Sequence, residues 1–267
     1  MVHKTSDRTW IKEFYDSAAE WWGESWYEGE NLEPRLALVE RFAGSAPKNL
    51  LELGAGPGET AAFLAAAGYQ VTAVDISKKN FMLLSTIEKK NPNVTAVLGD
   101  FFTVSITGKF DAVCLFESFG MGTDQEQRNL LRRISAEWLS PDGVVIMDVY
   151  HPFWPIKKAG SSQHLNRLEN VAGSVEMTER SYYDSILNRW IDEWEPVGSA
   201  ADTRRQSVRC YTPADLNLLL EGTGFRIGYT EIGGEAFDSQ PTQVSTSSPM
   251  DDFAKGYSYV AVLIKDH

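Results

Sequence analysis

Residues 52–58 read Glu52-Leu53-Gly54-Ala55-Gly56-Pro57-Gly58, directly after the apolar run Asn49-Leu50-Leu51 and directly before Glu59-Thr60-Ala61-Ala62-Phe63-Leu64. The first run is short and apolar, as a buried strand requires, and the second is rich in helix formers. Three glycines between them let the backbone turn sharply and leave no Cβ between it and a ligand. The helix that opens there adds unpaired N–H groups and a positive end. Asp75 closes the next apolar run, 17 residues beyond Gly58. An acidic side chain at such a strand end is placed to accept hydrogen bonds from both hydroxyls of a ribose.

The same alternation continues outward. Ser77 caps a helix reaching Lys89, residues 93–100 form a third strand and 110–117 a fourth. Thr123 and Glu126 form a capping box opening a helix to Leu139, and Pro141-Asp142-Gly143 turns the chain into a strand over 144–149. Two helices, 10–22 and 34–43, precede the first strand. Strands and helices alternating in this way predict a parallel sheet with helices on both faces. After Tyr150 the rhythm breaks. Residues 151–172 read as irregular, three strands follow over 175–184, 187–196 and 204–211, and Thr212-Pro213 starts a helix. The strands 225–232 and 257–264 come last, separated by a long polar loop over 233–256. The expectation is an α/β fold in a single domain: a helical cap over 1–46, a core over 47–150, a β-rich insertion over 151–210, and a closing segment over 211–267.

Glu52 through Gly58 with Asp75 resembles motif I and its acidic partner in class I (Rossmann-like) S-adenosylmethionine-dependent methyltransferases of the small-molecule type. Gly99-Asp100-Phe101 is similar to the family's adenine-binding position, and Phe116-Glu117-Ser118 to the motif beside the methyl donor. Leu139-Ser140-Pro141-Asp142-Gly143 resembles the family's turn before the fifth strand, with Asp142 where glycine is usual. The resemblance implies a seven-stranded, mostly parallel sheet whose last strand is antiparallel. It also implies S-adenosyl-L-methionine as cofactor, held by Glu52, Gly54, Ala55, Gly56, Gly58, Asp75, Ile76, Gly99, Asp100, Phe101, Phe116, Glu117 and Ser118. By the same analogy Tyr15 and Trp22, on the first helix, approach the methionine end. The alternatives are an NAD(P)-dependent oxidoreductase, whose G-x-G-x-x-G fingerprint is broken here by Glu59, and a non-catalytic cofactor-binding protein.

Composition narrows the acceptor. A formal net charge of −12 with no basic run gives no footprint for nucleic acid. No apolar stretch reaches the ~18 residues of a membrane span, and the polar amino terminus carries no signal core, so the expected location is the cytoplasm. Cys114, Cys210 and four scattered histidines give no metal-ligand spacing, so no metal is implied. A small-molecule metabolite is the expected partner, with O-, N- and C-methylation all open. A base is required only for a protonated acceptor, and His151, Glu117 and Tyr150 are the candidates at the sheet's carboxyl edge. Tyr182, Arg189, Arg209 and Tyr211 are the expected substrate contacts in the insertion, and aromatics with arginine there suggest a mid-sized, partly apolar metabolite carrying an acidic group. Side chains there alternate between faces, so register decides which half reaches the pocket. The same residues suit a homodimer contact equally well.

Overall fold

Five parallel strands carry the ligand end of the molecule: β1 (Asn49–Leu53), β2 (Gln70–Asp75), β3 (Val94–Leu98), β4 (Phe110–Leu115) and β5 (Leu139–Tyr150). The computed structural model describes residues 8–22, 31–166, 174–239, 253 and 256–266. Three further strands, β10 (Phe225–Ile232), β11 (Glu235–Ala236) and β12 (Ser258–Lys265), complete an eight-stranded sheet of order β11-β10-β12-β5-β4-β1-β2-β3. β12 runs antiparallel to both neighbours, as expected. The sheet has eight strands rather than seven because the segment after Ile232 folds back at once. Gly233 and Gly234, both at positive φ, form a two-residue turn that pairs Ile232 with Glu235.

Strand side chains alternate between two cores, which the pleat enforces. Leu51, Leu53, Val113, Leu115, Val145 and Met147 enter one, and Leu50, Ala112, Cys114, Val144 and Ile146 the other. Helices α1 (Thr9–Trp22), α2 (Glu33–Ala43), α3 (Glu59–Ala66), α4 (Lys78–Lys90) and α5 (Asp124–Arg133) surround the sheet. Ser77 caps α4 through the Asn80 N–H, and the Thr123–Glu126 capping box is present. The helix expected to reach Leu139 instead ends in a π-helical turn, Ile134–Trp138. Pro141-Asp142-Gly143 is not a turn before β5 but lies within it. Leu139 pairs with Phe110 and Val144 with Ala112, so the extra residues bulge there.

Residues 151–166 also differ from the irregular stretch expected, since α6 (Phe153–Lys158) and β6 (Ser162–Leu165) form there. With β7 (Met177–Asp184), β8 (Arg189–Pro196) and β9 (Arg204–Arg209), β6 makes a separate antiparallel sheet. The cap sheet is tied to the main sheet by backbone bonds, Arg209 N–H to Gly120 O (2.9 Å) and Tyr211 N–H to Tyr150 O (2.7 Å). α1 packs against β9 on one side and α4 on the other, bridging the two sheets. α7 (Pro213–Leu220), capped by Thr212 and Asp215, leads back into β10.

Candidate active site

Between the carboxyl ends of β1, β2 and β4 and the inner face of the cap sheet lies a cavity of about 310 Å³. Its floor is the glycine-rich turn. Gly54 sits at φ +79°, and a Cβ there would lie 2.6 Å from Ser118 Cβ, so only glycine lets this backbone pass under the cavity. The Gly56 N–H donates to Asp75 Oδ2 and the Ser77 N–H to Asp75 Oδ1, both at 2.8 Å. These bonds orient the carboxylate but do not offset its burial, which pushes Asp75 up to about 6. Glu52, also buried, lines the same wall.

The exit of β4 supplies a second wall. Glu117 adopts φ +53°, a conformation that costs a non-glycine residue about 1–3 kcal/mol and survives only where neighbours enforce it. The enforcers are visible: its N–H donates to Asp148 Oδ2 at 3.0 Å and its carbonyl accepts from Tyr150 Oη at 2.9 Å. Its carboxylate accepts from Tyr257 Oη and lies 3.4 Å from the Arg35 guanidinium. Arg35, in the first turn of α2, also donates to Thr60 Oγ1 at 2.6 Å and lies over the Phe116 ring.

The cap supplies the roof, and register decides which residues form it. Ser181, Asp192 and Gln206 stand opposite one another on β7, β8 and β9, as do Tyr183, Trp190 and Val208, and Glu179, Trp194 and Arg204. Trp190, Asp192, Trp194, Gln206, Val208 and Glu179 line the cavity. Asp192 is 2% exposed, and burial, with Glu179 adding to it, pushes its carboxyl up to about 7 against the neighbouring dipoles of Ser181, Gln206 and Trp190. Tyr15 joins roof to floor from α1. Its hydroxyl donates to Gln206 Oε1 at 3.5 Å, and burial together with the charges of Asp75, Glu117 and Asp192 raises its pKa well above normal.

Of the residues expected at the cofactor, Tyr15, Glu52, Gly54, Ala55, Gly56 and Asp75 line this cavity. So do Ile76, Phe101, Phe116, Glu117 and Ser118. Gly58 stands behind it as the α3 cap, where a Cβ would meet Leu84 Cδ1 at 2.4 Å. Gly99 donates its N–H to Asp75 O at 2.9 Å. Asp100 lines an adjoining recess that shares Ile76, and pairs with Arg8 at 3.1 Å. The Trp22 side chain lies outside the described residues.

The expected substrate contacts lie elsewhere, and strand parity is the reason. Tyr182, Arg189 and Arg209 fall on the outer rows of the cap, one residue out of phase with Tyr183, Trp190 and Val208. Arg189 is buried and donates to the carbonyls of Gly120, Met121 and Gly122 and to Ser207. Arg209 and Tyr211 both bond Asp124, at 3.0 and 2.8 Å, and Tyr182 is 41% exposed. His151 also stands outside the cavity. Its ring packs against Phe153 and Phe253, and burial pushes it down to about 4, against the Gly256 backbone. The sequence alone does not single out Asp192, Gln206, Arg35 or Tyr257. Only the alternation in Trp190-Ile191-Asp192-Glu193-Trp194 pointed toward the first of these, and it left two phases open.

The methyltransferase-domain family matches residues 26–229, more than half of the chain. A cypemycin N-terminal methyltransferase from Streptomyces sp is 34% identical over 127 residues, 45% of this chain and 51% of that protein. The chain spans about half the length of the curated relatives it matches. Among solved structures, the CcbJ methyltransferase from Streptomyces caelestis superposes with a TM-score of 0.70 at 21% identity, covering 99% of this chain and 100% of that one. CalS10 with bound S-adenosylmethionine, an amino pentose methyltransferase from Micromonospora echinaspora, gives 0.60 at 21%, covering 95% and 97%.

Proposed function

The chain belongs to the S-adenosylmethionine-dependent methyltransferase family, and from that premise we propose that it methylates a small-molecule metabolite held between the two sheets. The observation that carries this reading is the division of one cavity into two halves. Gly54, Gly56, Glu52 and Asp75 form a cradle whose closest backbone would be blocked by any Cβ, and whose carboxylates suit the ribose and amino groups of the donor. When bound, the sulfonium donor supplies an electrophilic methyl group. Asp75 would accept from the ribose, while Glu52 and Glu117 would face the cationic end. The roof residues Trp190, Trp194, Gln206 and Asp192 hold the acceptor in line, and positioning of this kind accounts for most of the acceleration such a displacement needs. An amino pentose methyltransferase and a cypemycin N-terminal methyltransferase are among the similar proteins, which favours an acceptor with a reactive nitrogen or oxygen.

Calorimetric titration with S-adenosylhomocysteine, with NAD in a parallel cell, tests the reading. The sulfur ligand binds and NAD does not. Asp75→Ala weakens binding by tenfold or more, since each hydrogen bond to a charged group contributes about 1.5–3 kcal/mol and about 1.4 kcal/mol is tenfold. Preference for NAD would refute it.

A further inference from the structure

Two adjacent acids on β8 are treated in opposite ways. Glu193, on the outer face, is held by Arg180 at 3.1 Å and by Arg205. Asp192, on the cavity face, pairs with no cation among the described residues, and its polar neighbours are all neutral: Gln206 Nε2 donates at 3.1 Å, with Ser181 and Trp190 beside it. The fold therefore places arginines beside the outer acid and leaves the inner one to something else. A buried carboxylate without a counter-charge is costly unless a ligand completes it.

The surroundings specify that ligand. Glu179 from β7 adds its like charge to Asp192, and Tyr15 from α1 lies in the joint field of Asp75, Glu117 and Asp192. Arg35 is the single cation lining the cavity among the described residues, and it is engaged with Thr60 and Glu117 on the opposite wall. Arg204 shares the inner face of the cap but donates to the Thr203 carbonyl and does not line the cavity. Trp190 and Trp194 flank Asp192 on the same face, and aromatic walls favour a cation further.

We propose that the acceptor is an amine that arrives as its ammonium ion, and that Asp192, placed by the Tyr15–Gln206 hydrogen-bond bridge, receives the proton that frees the nitrogen for methylation. The ammonium nitrogen gives one proton to the Asp192 carboxylate and keeps its lone pair. That pair forms the new N–C bond as the methyl carbon's bond to sulfur breaks, the electrons of which remain on sulfur. The product leaves as a methylated ammonium, and Asp192 returns its proton to water. An acid near neutrality suits this exchange, since a base works best when its pKa lies near the working pH.

This inference rests on the methyl-donor reading above, and the test separates the two. Protein saturated with S-adenosylhomocysteine is titrated at pH 6 with benzylamine and cyclohexylamine, and with benzyl alcohol and cyclohexanol as neutral counterparts, in two buffers of different ionisation enthalpy. The amines bind at least tenfold tighter than the alcohols, and amine binding is accompanied by proton release, whichever partner holds the shared proton. Asp192→Asn abolishes both the preference and the release while leaving thermal unfolding cooperative. Glu179→Gln weakens the preference without abolishing the release. Alcohols binding as well as amines, neither amine binding, or a preference and release unchanged in Asp192→Asn would each overturn the role of Asp192. Absence of S-adenosylhomocysteine binding would instead overturn the methyl-donor reading beneath it.

Discussion

The two sheets build their halves of the cavity by different means. In the eight-stranded sheet the ligand end is made of backbone: Gly54 and Gly56 at positive φ, the Gly56 and Ser77 N–H groups fixed on Asp75, and the strained Glu117 turn. In the four-stranded cap it is made of side chains projecting from regular strands, Asp192, Gln206 and the two tryptophans. A backbone site can be written only with particular residues at particular positions. A side-chain site on a strand can be written with many residues, but only at one parity. The difference implies that the glycine-rich half tolerates few substitutions and the cap half many.

That contrast is broken most sharply at Asp75. Asp75→Ala is expected to cost tenfold or more in affinity for S-adenosylhomocysteine, read by calorimetry, because it removes the acceptor to which both Gly56 and Ser77 are anchored. Next comes the joint between the sheets. Arg189 donates from β8 to the carbonyls of Gly120, Met121 and Gly122, and Gln127, with its amide oxygen facing them, accepts from the N–H groups of the same three residues. Arg189→Ala strips these buried carbonyls of a donor and is expected to lower stability by about 2 kcal/mol, checked by urea denaturation, with little change in cofactor affinity.

A smaller effect tests the charge state of the cap. Asp192 has a folded value of about 7, above the ordinary carboxyl value of 3.8, so the folded protein binds the extra proton between those limits. Stability from this group is present below about pH 4 and is lost as pH rises through about 7. Asp192→Asn, which cannot ionise, is expected to gain on wild type across that window in paired urea denaturation curves. The smallest effect is expected at Arg209, whose partner Asp124 is half exposed. Arg209 also donates to the carbonyls of Asn188 and Cys210, so Arg209→Ala should cost about 1 kcal/mol, read by urea denaturation.

How much of this was legible follows the same division. Gly54, Gly56, Gly58 and Asp75 announce themselves because turns at positive φ and strand-end acids leave few substitutes, and the capping box at Thr123 is read from spacing alone. The eighth strand was hidden because two residues cannot show periodicity, and only the Gly233-Gly234 pair marked the hairpin. The inward face of the insertion is not legible for another reason. Arg189, Arg209 and Tyr182 have the chemistry of a binding site, but a one-residue shift of register moves a whole set to the opposite face, and nothing local in the sequence fixes that register. His151 misled similarly, since a histidine after a strand end reads as a base whether it faces the ligand or, as here, Phe153 and Phe253.

The most direct test of the divided cavity crosses two variants against two ligands, with Asp75→Ala and Asp192→Asn each titrated with S-adenosylhomocysteine and then with benzylamine. The account predicts that Asp75→Ala loses the sulfur ligand by tenfold or more, and that Asp192→Asn keeps it near wild-type affinity but loses the amine. An Asp192→Asn protein that loses S-adenosylhomocysteine as badly as Asp75→Ala, or that still prefers the amine, would contradict it.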